Sequence, residues 1–315
     1  MMQTDKKGAI LVTGGTGFVG QVIVRRLLQS GWRARILARR MPLRQPEDTS
    51  VEFRQGNVLE SKGLEMAMRG CAGVIHLVGI IRETRDQSFQ QAHVLATQNV
   101  LKAAAVAGVG RYVHMSALGT RENARSEYHK TKWQAEQLVQ TSSLNWTIFR
   151  PGLIHGPEGE FTTMVVQWHG GKEPPYFFMP YFGGGLLGQQ PLTRIQPVLV
   201  DDVAELFVRS LETVKSEHQT YELGGPEQMT WPRMLEVFNT ALPRPRKAII
   251  GIPFWLAKAI STFPLPGLPF NRDQVMMAGE DSVCDLSRII GDFPGFAPRK
   301  LETSVREYIK SMGTV

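Results

Sequence analysis

Residues 9–20 read AILVTGGTGFVG: a five-residue apolar run, glycines at 14, 17 and 20, and then apolar residues at helical spacing up to Gly31. A short apolar run that ends in glycine and opens directly into a helical pattern predicts strand, tight turn and helix. Each glycine has a separate use. Gly14 lets the chain turn sharply, Gly17 lets backbone N–H groups come close to a pyrophosphate, and Gly20 lets the helix lie against the strand. The helix N-terminus adds a positive dipole end aimed at the same place. The stretch therefore predicts a dinucleotide phosphate cradle of Gly14, Thr16, Gly17, Phe18, Val19 and Gly20. No Lys-Ser/Thr pair follows the glycines, which argues against a triphosphate-hydrolysing P-loop.

The pattern then repeats. Strand-like runs fall at 34–38, 51–55, 73–78, 111–115 and 146–150, with helical patterns at 63–69, 89–107 and 128–141. Such alternation predicts an α/β fold with a doubly wound parallel sheet of Rossmann type. Past Arg150 the chain is loop-rich to about Pro197. A strand-like run at 195–200 and a helix begun by Asp201 or Asp202 read as a return to the sheet, and Gly224-Gly-Pro226 leads into a C-terminal helical region. The expected division is a nucleotide-binding domain over 1–155, rejoined by 194–225, and a smaller substrate or lid region over 156–193 and 226–315.

An NAD-specific site places Asp or Glu after the second strand to bond the ribose 2′-hydroxyl. This chain has Arg39 and Arg40 there. Guanidinium groups pair with a 2′-phosphate that a carboxylate would repel, so NADP(H) is favoured over NAD(H). The net charge of +7 is compatible with nucleic acid, an anionic membrane or phosphate ligands. The densest basic stretch, 33–44, lacks interleaved aromatics, which argues against nucleic acid. Cys71 and Cys284 are too few for a disulfide framework, and His76, His93, His114 and His129 have no metal-ligand spacing, so no metal is expected. With no 18-residue apolar run and no signal-peptide pattern, the expected location is cytoplasmic.

Several stretches together resemble the extended short-chain dehydrogenase/reductase superfamily, related to NAD-dependent epimerases and dehydratases. Gly56-Asn57-Val58 is similar to its adenine-side GDV segment, His76–Ile80 to its strand-four segment, and Tyr128-His-Lys-Thr-Lys132 to its YxxxK signature. Residues 150–157 (RPGLIHGP) are similar to RPxxxYGP, and 197–204 (PVLVDDVA) to PVxVxDVA. More narrowly HLVGII, HMSALG, SEYHKTKWQAE and ELGGPEQMTW resemble the branch that includes the 39 kDa accessory subunit of respiratory complex I. The resemblance implies cofactor contacts from Asn57, Val58, Leu77, Val78, Gly79, Met115, Tyr128, Lys132, Pro151 and Leu153. It also implies that Tyr128 exchanges a proton with substrate while Lys132 lowers its pKa and bonds the nicotinamide ribose.

Two departures separate binding from turnover. Ser116 is followed by Ala117 where active relatives carry Ser-Ser, so Ser116 is the candidate substrate partner or else faces the cofactor, and Ala92-His93-Val94 stands where an Asn is common. The readings in play are an NADP(H)-dependent oxidoreductase of a carbonyl, hydroxyl or quinone-like substrate, a cofactor-retaining accessory or assembly subunit of a membrane-associated assembly, a redox-sensing regulator, and a nucleotide-sugar epimerase. The apolar stretch 251–277, with Phe254, Trp255, Phe263, Leu265, Leu268 and Phe270, reads as substrate-region core, the alternatives being an apolar tunnel or a peripheral membrane contact.

Overall fold

The structure is a computed structural model that describes residues 7–42, 48–183, 192–243, 245–262 and 270–312. Arg44 and, in the apolar C-terminal stretch, Phe263, Leu265 and Leu268 lie outside the described residues. The chain divides into two compact units.

The first unit takes in Met1–Arg150, Asp201–Glu222 and Ser287–Phe296. Its seven-stranded sheet is built from β1 (Ala9–Thr13), β2 (Arg33–Ala38), β3 (Val51–Gln55), β4 (Cys71–His76), β5 (Arg111–Met115), β6 (Trp146–Pro151) and β7 (Gln219–Leu223), in the order β7-β6-β5-β4-β1-β2-β3. β1 is buried at every residue, as its unbroken aliphatic run requires of an inner strand covered on both faces. The pairings that join β1 to β2 and β4, β2 to β3, β4 to β5 and β5 to β6 are parallel. Strand order reverses between β1 and β4, and at such a switch point the connecting loops leave a crevice at the C-terminal strand ends.

Helices α1 (Phe18–Gln29), α2 (Ser61–Met68), α3 (Ala96–Val106), α4 (Glu127–Gln140) and α5 (Val200–Ser210) complete this unit's main elements. Leu11, Val74, Tyr112 and Ile148 of the sheet pack with Leu64 and Met68 of α2 and Val100 and Ala104 of α3 in one core. Ser126 caps α4 by accepting from the His129 N–H, which holds the helix start, and so Tyr128 and Lys132, at the end of β5.

The structure departs from the sequence expectation in two places. The helix expected over 89–107 begins as a single π turn at Gln90–Leu95, within which Ala92 and His93 are buried. Thr97 Oγ donates to the His93 carbonyl at 2.6 Å, competing for the acceptor that regular helical bonding would use. The run 195–200 does not rejoin the sheet. Arg194–Ile195 pairs antiparallel with Met229–Thr230, and Val198–Leu199 pairs parallel with Ile154–His155, in separate two-stranded ribbons. The strand that returns to the sheet is β7, reached only after α5.

The second unit comprises Pro151–Val200, Leu223–Leu286 and Ala297–Val315. Helices Glu160–Gly170, Trp231–Ala241 and Leu301–Ser311 bury Val165, Trp168, Phe238, Val305 and Ile309 around a core of their own. Beside them Phe178–Phe182 and Ala248–Ile252 form a parallel strand pair.

Candidate functional site

Backbone geometry makes the glycine loop what it is. Gly14 sits at φ 76°, and a β-carbon there would lie 3.3 Å from the Leu77 and Val78 backbone, so only glycine fits between β1 and the loop after β4. A β-carbon at Gly20 would sit 2.2 Å from the Gly14 carbonyl oxygen, which requires α1 to lie on the turn at backbone contact. Gly17 N–H donates to Gly14 O at 3.0 Å to close the turn. Thr16 and Gly17 are exposed, while Phe18 and Val19 are half-buried on the first turn of α1. Such a loop, with its glycine backbone exposed at Gly17 beside the N-terminus of α1, can cradle a pyrophosphate.

Arg39 and Arg40 are exposed at the end of β2, with no ion pair among the described residues. They have charge to offer a ligand phosphate. Asn57 is engaged locally: its Oδ1 accepts from Leu59 N at 3.1 Å, and it turns the chain into α2. Val58 is buried, and its carbonyl accepts from Asn99 Nδ2 at 3.1 Å. Leu77 is buried, Val78 half-buried and Gly79 exposed in the loop after β4.

At the end of β5 the structure brings Tyr128, Lys132 and Gly79 together, and adds His93 and Thr131, which spacing in the sequence did not single out. Lys132 is 3 % exposed, and its Nζ donates to Met115 O at 3.0 Å. A β-carbon at Gly79 would lie 3.0 Å from that Nζ. Burial pushes the ammonium pKa down to about 8, against the opposing pull of the Glu136 carboxylate. An ammonium has three donors. With Met115 O as its hydrogen-bond partner among the described residues, it can serve further acceptors, as the hydroxyls of a nicotinamide ribose would require. The residues thus fit the dinucleotide at both its pyrophosphate and its nicotinamide end.

Tyr128 is half-buried, and desolvation pushes its pKa up to about 12. At neutral pH the phenol keeps its proton, so it is set to donate one. Ser116 is buried, and its hydroxyl donates to Thr120 Oγ at 3.3 Å. Pro151 closes β6 and Leu153 follows two residues on, both in the second unit.

His93, 1 % exposed, stacks on Phe89 with ring centres 5.4 Å apart and meets the Tyr128 ring edge-on at 5.4 Å. His93 Nδ1 is hydrogen-bonded to Thr131 Oγ at 2.8 Å, and Thr131 Oγ also lies 2.8 Å from Glu127 O. Nε2 lies 3.1 Å from Ile80 O and 3.2 Å from Ile80 N, so the ring is bonded to the loop backbone on that side as well. Burial, then the Lys132 charge, pushes the His93 pKa down to about 2, so the ring is neutral. The ring ties the loop after β4 to the helix that carries Tyr128 and Lys132. His76, held at 2.6 Å to Thr13 and 3.3 Å to Thr97 and pushed down to about 3, lies deeper with His114, whose ring centre is 5.5 Å away. Neither His114 nitrogen has a hydrogen-bond partner among the described residues. A histidine substituted for the Asn of the family pattern was the one sequence signal pointing at His93; nothing local marks Thr131.

Strand order, glycine turn and the basic end of β2 define a dinucleotide-binding Rossmann protein. The sequence matches the NAD(P)H-binding family over residues 14–173, and the chain belongs to that family. It is 29% identical over 325 residues to the mitochondrial NADH dehydrogenase (ubiquinone) 1 alpha subcomplex subunit 9 of Arabidopsis thaliana, covering 95% of this chain and 76% of that one. It is 34% identical over 167 residues to a ceramide reductase of Caulobacter vibrioides, covering 53% and 52% of the two chains. The solved structure of the Bordetella bronchiseptica enzyme WbmH in complex with NAD+ has the same fold, with a TM-score of 0.71 at 18% identity over 98% of this chain and 99% of that one. The fold is that of the epimerase/dehydratase-like short-chain dehydrogenases/reductases. No described helix is long and apolar enough to cross a membrane.

Proposed function

We propose that this chain is an NADP(H)-dependent reductase of a carbonyl or quinone-like compound. The observation that carries the proposal is that Tyr128 and Lys132 lie one turn apart on α4, with the Lys132 ammonium buried and bonded to Met115 O at 3.0 Å at the end of β5. Gly14, Thr16, Gly17, Phe18, Val19 and Gly20 would hold the pyrophosphate, Arg39 and Arg40 the 2′-phosphate, and Asn57 and Val58 the adenine side. Leu77, Val78, Gly79, Met115, Pro151 and Leu153 would flank the nicotinamide half. The reduced nicotinamide, when bound, supplies a hydride. Tyr128 gives a proton to the substrate oxygen, Lys132 holds the ribose and adds positive charge beside the developing oxyanion, and Ser116 orients the substrate. Residues 156–193 and 226–315 are read as the smaller substrate or lid region.

NADPH should raise the melting temperature more than NADH at equal concentration, because only NADPH carries the phosphate for Arg39 and Arg40. Replacing both arginines with alanine should erase the difference, and equal shifts in the unmodified protein would overturn the NADP(H) assignment. Oxidation of NADPH by aldehydes and quinones, measured by fluorescence, tests turnover.

The extended likeness to a respiratory-complex subunit, over 95% of this chain, supports a second reading. In it the protein is a cofactor-retaining accessory subunit, peripheral to a membrane assembly through the apolar stretch 251–277. Tyr128→Phe separates the two readings: it abolishes reduction in the first and is silent in assembly in the second.

A further inference from the structure

We propose that the second unit carries a docking corner for an anionic bilayer surface, built on Tyr176 and Phe177 and flanked by Lys172, Arg246 and Lys247. The proposal stands apart from the nucleotide reading and from the apolar stretch 251–277. Phe177 is 82% exposed, the most exposed large apolar side chain among the described residues, and Tyr176 beside it is 47% exposed, with the two ring centres 6.5 Å apart. Tyr176 stands at φ 50°, a left-handed conformation that a bulky residue keeps only where its surroundings impose it. They do so here. Tyr176 N–H donates to Glu173 O at 2.8 Å, and Lys247 Nζ donates to Tyr176 O at 3.1 Å. The turn therefore holds an aromatic pair outward instead of letting it fold onto the unit's own core.

The ground around the pair has the complementary character. Phe178 lies opposite Ala248 and Pro180 opposite Ile250 in the parallel strand pair. Ala248 and Ile250 are exposed, which extends an apolar strip from the aromatic tip. Lys172 and Arg246 are also exposed, and Lys247 is half-exposed at the base of the turn. Between 171–182 and 245–252 these three cations face one carboxylate, Glu173. A protruding aromatic pair among cations matches the headgroup layer of a membrane, where aromatic rings settle at the polar–apolar boundary and lysines and arginines meet anionic lipid. A protein partner would need a broad complementary surface rather than a tip. The chain's net charge of +7 adds a long-range attraction of the same sign.

The test is cosedimentation of the full chain with phosphatidylcholine vesicles, with and without about a third phosphatidylglycerol, at low and high salt. The protein should pellet with the anionic vesicles at low salt and stay in solution with phosphatidylcholine alone. Phe177→Ser should lower partitioning about tenfold. Lys172→Glu and Arg246→Glu should each lower it about fivefold or more. All three residues are exposed, so melting temperatures should be unchanged, which verifies that the variants fold. A Phe177→Trp variant should show a blue-shifted difference emission on addition of anionic vesicles. Failure of the unmodified protein to pellet with anionic lipid, or pelleting that Phe177→Ser leaves intact, would overturn the proposal.

Discussion

Replacing Lys132 with methionine should stabilise the nucleotide-free protein while weakening nucleotide binding, two effects of opposite sign from one side chain. Burial lowers the lysine pKa from 10.5 to about 8, so keeping it charged at neutral pH costs the folded state about 3 kcal/mol at 1.4 kcal/mol per unit. Methionine has nearly the same length and removes that cost. It also leaves the Met115 carbonyl without its donor, a loss of about 1–2 kcal/mol. The net gain is about 1–2 kcal/mol, or a rise of roughly 1–3 °C in melting temperature for a chain of this size. The pH dependence carries the same signature. Between pH 8 and 10.5 the unfolded lysine binds a proton that the folded one has released, so the unmodified protein gains stability as pH rises through this window, and its deficit against Lys132→Met closes. Loss of a charge-assisted bond to the ribose should meanwhile raise the NADPH dissociation constant roughly 10- to 100-fold. Differential scanning fluorimetry with and without NADPH, over pH 7–11, and a fluorescence titration measure all three. A variant that melts several degrees lower without nucleotide, or binds NADPH as tightly as the unmodified protein, would refute the reasoning.

Gly20→Ala places a methyl 2.2 Å from the Gly14 carbonyl, so α1 must move off the turn; we expect loss of NADPH binding by titration, with a destabilisation of about 3 kcal/mol or more in denaturant melts. His93→Leu keeps the volume but removes the ring's bonds to Ile80 and to Thr131, which keeps its bond to Glu127 O, so it should reduce stability by about 1–3 kcal/mol and loosen the loop after β4, seen as faster amide exchange at Ile80. Glu136 is fully buried and bonds Arg150 through both oxygens, at 2.8 and 2.6 Å, so Glu136→Ala should cost about 3–5 kcal/mol by urea unfolding. Tyr128→Phe should lower any carbonyl reduction by orders of magnitude with NADPH affinity nearly unchanged, and a reductase that keeps its rate would remove Tyr128 from the chemistry.

What the sequence by itself determined is local. The turn at Gly14, the start of α1 and the inner placement of β1 follow from backbone freedom at glycine and from side-chain periodicity within a dozen residues, and they carried the fold class and the nucleotide cradle. Arg39 and Arg40 were legible because their position is set by the end of a strand. What only the tertiary structure decided is non-local. His76, His93, His114 and Lys132 share one buried neighbourhood because β4 and β5 pair in parallel and α4 packs at their ends, and no spacing encodes that meeting. The π turn that holds His93 depends on Thr97 reaching its carbonyl within a packed helix. The run 195–200 has the composition of a sheet strand, yet it pairs in small ribbons while Gln219–Leu223 takes the edge beside β6. A strand's pattern states that it will be buried; which partner buries it depends on the competition among all the strands at once.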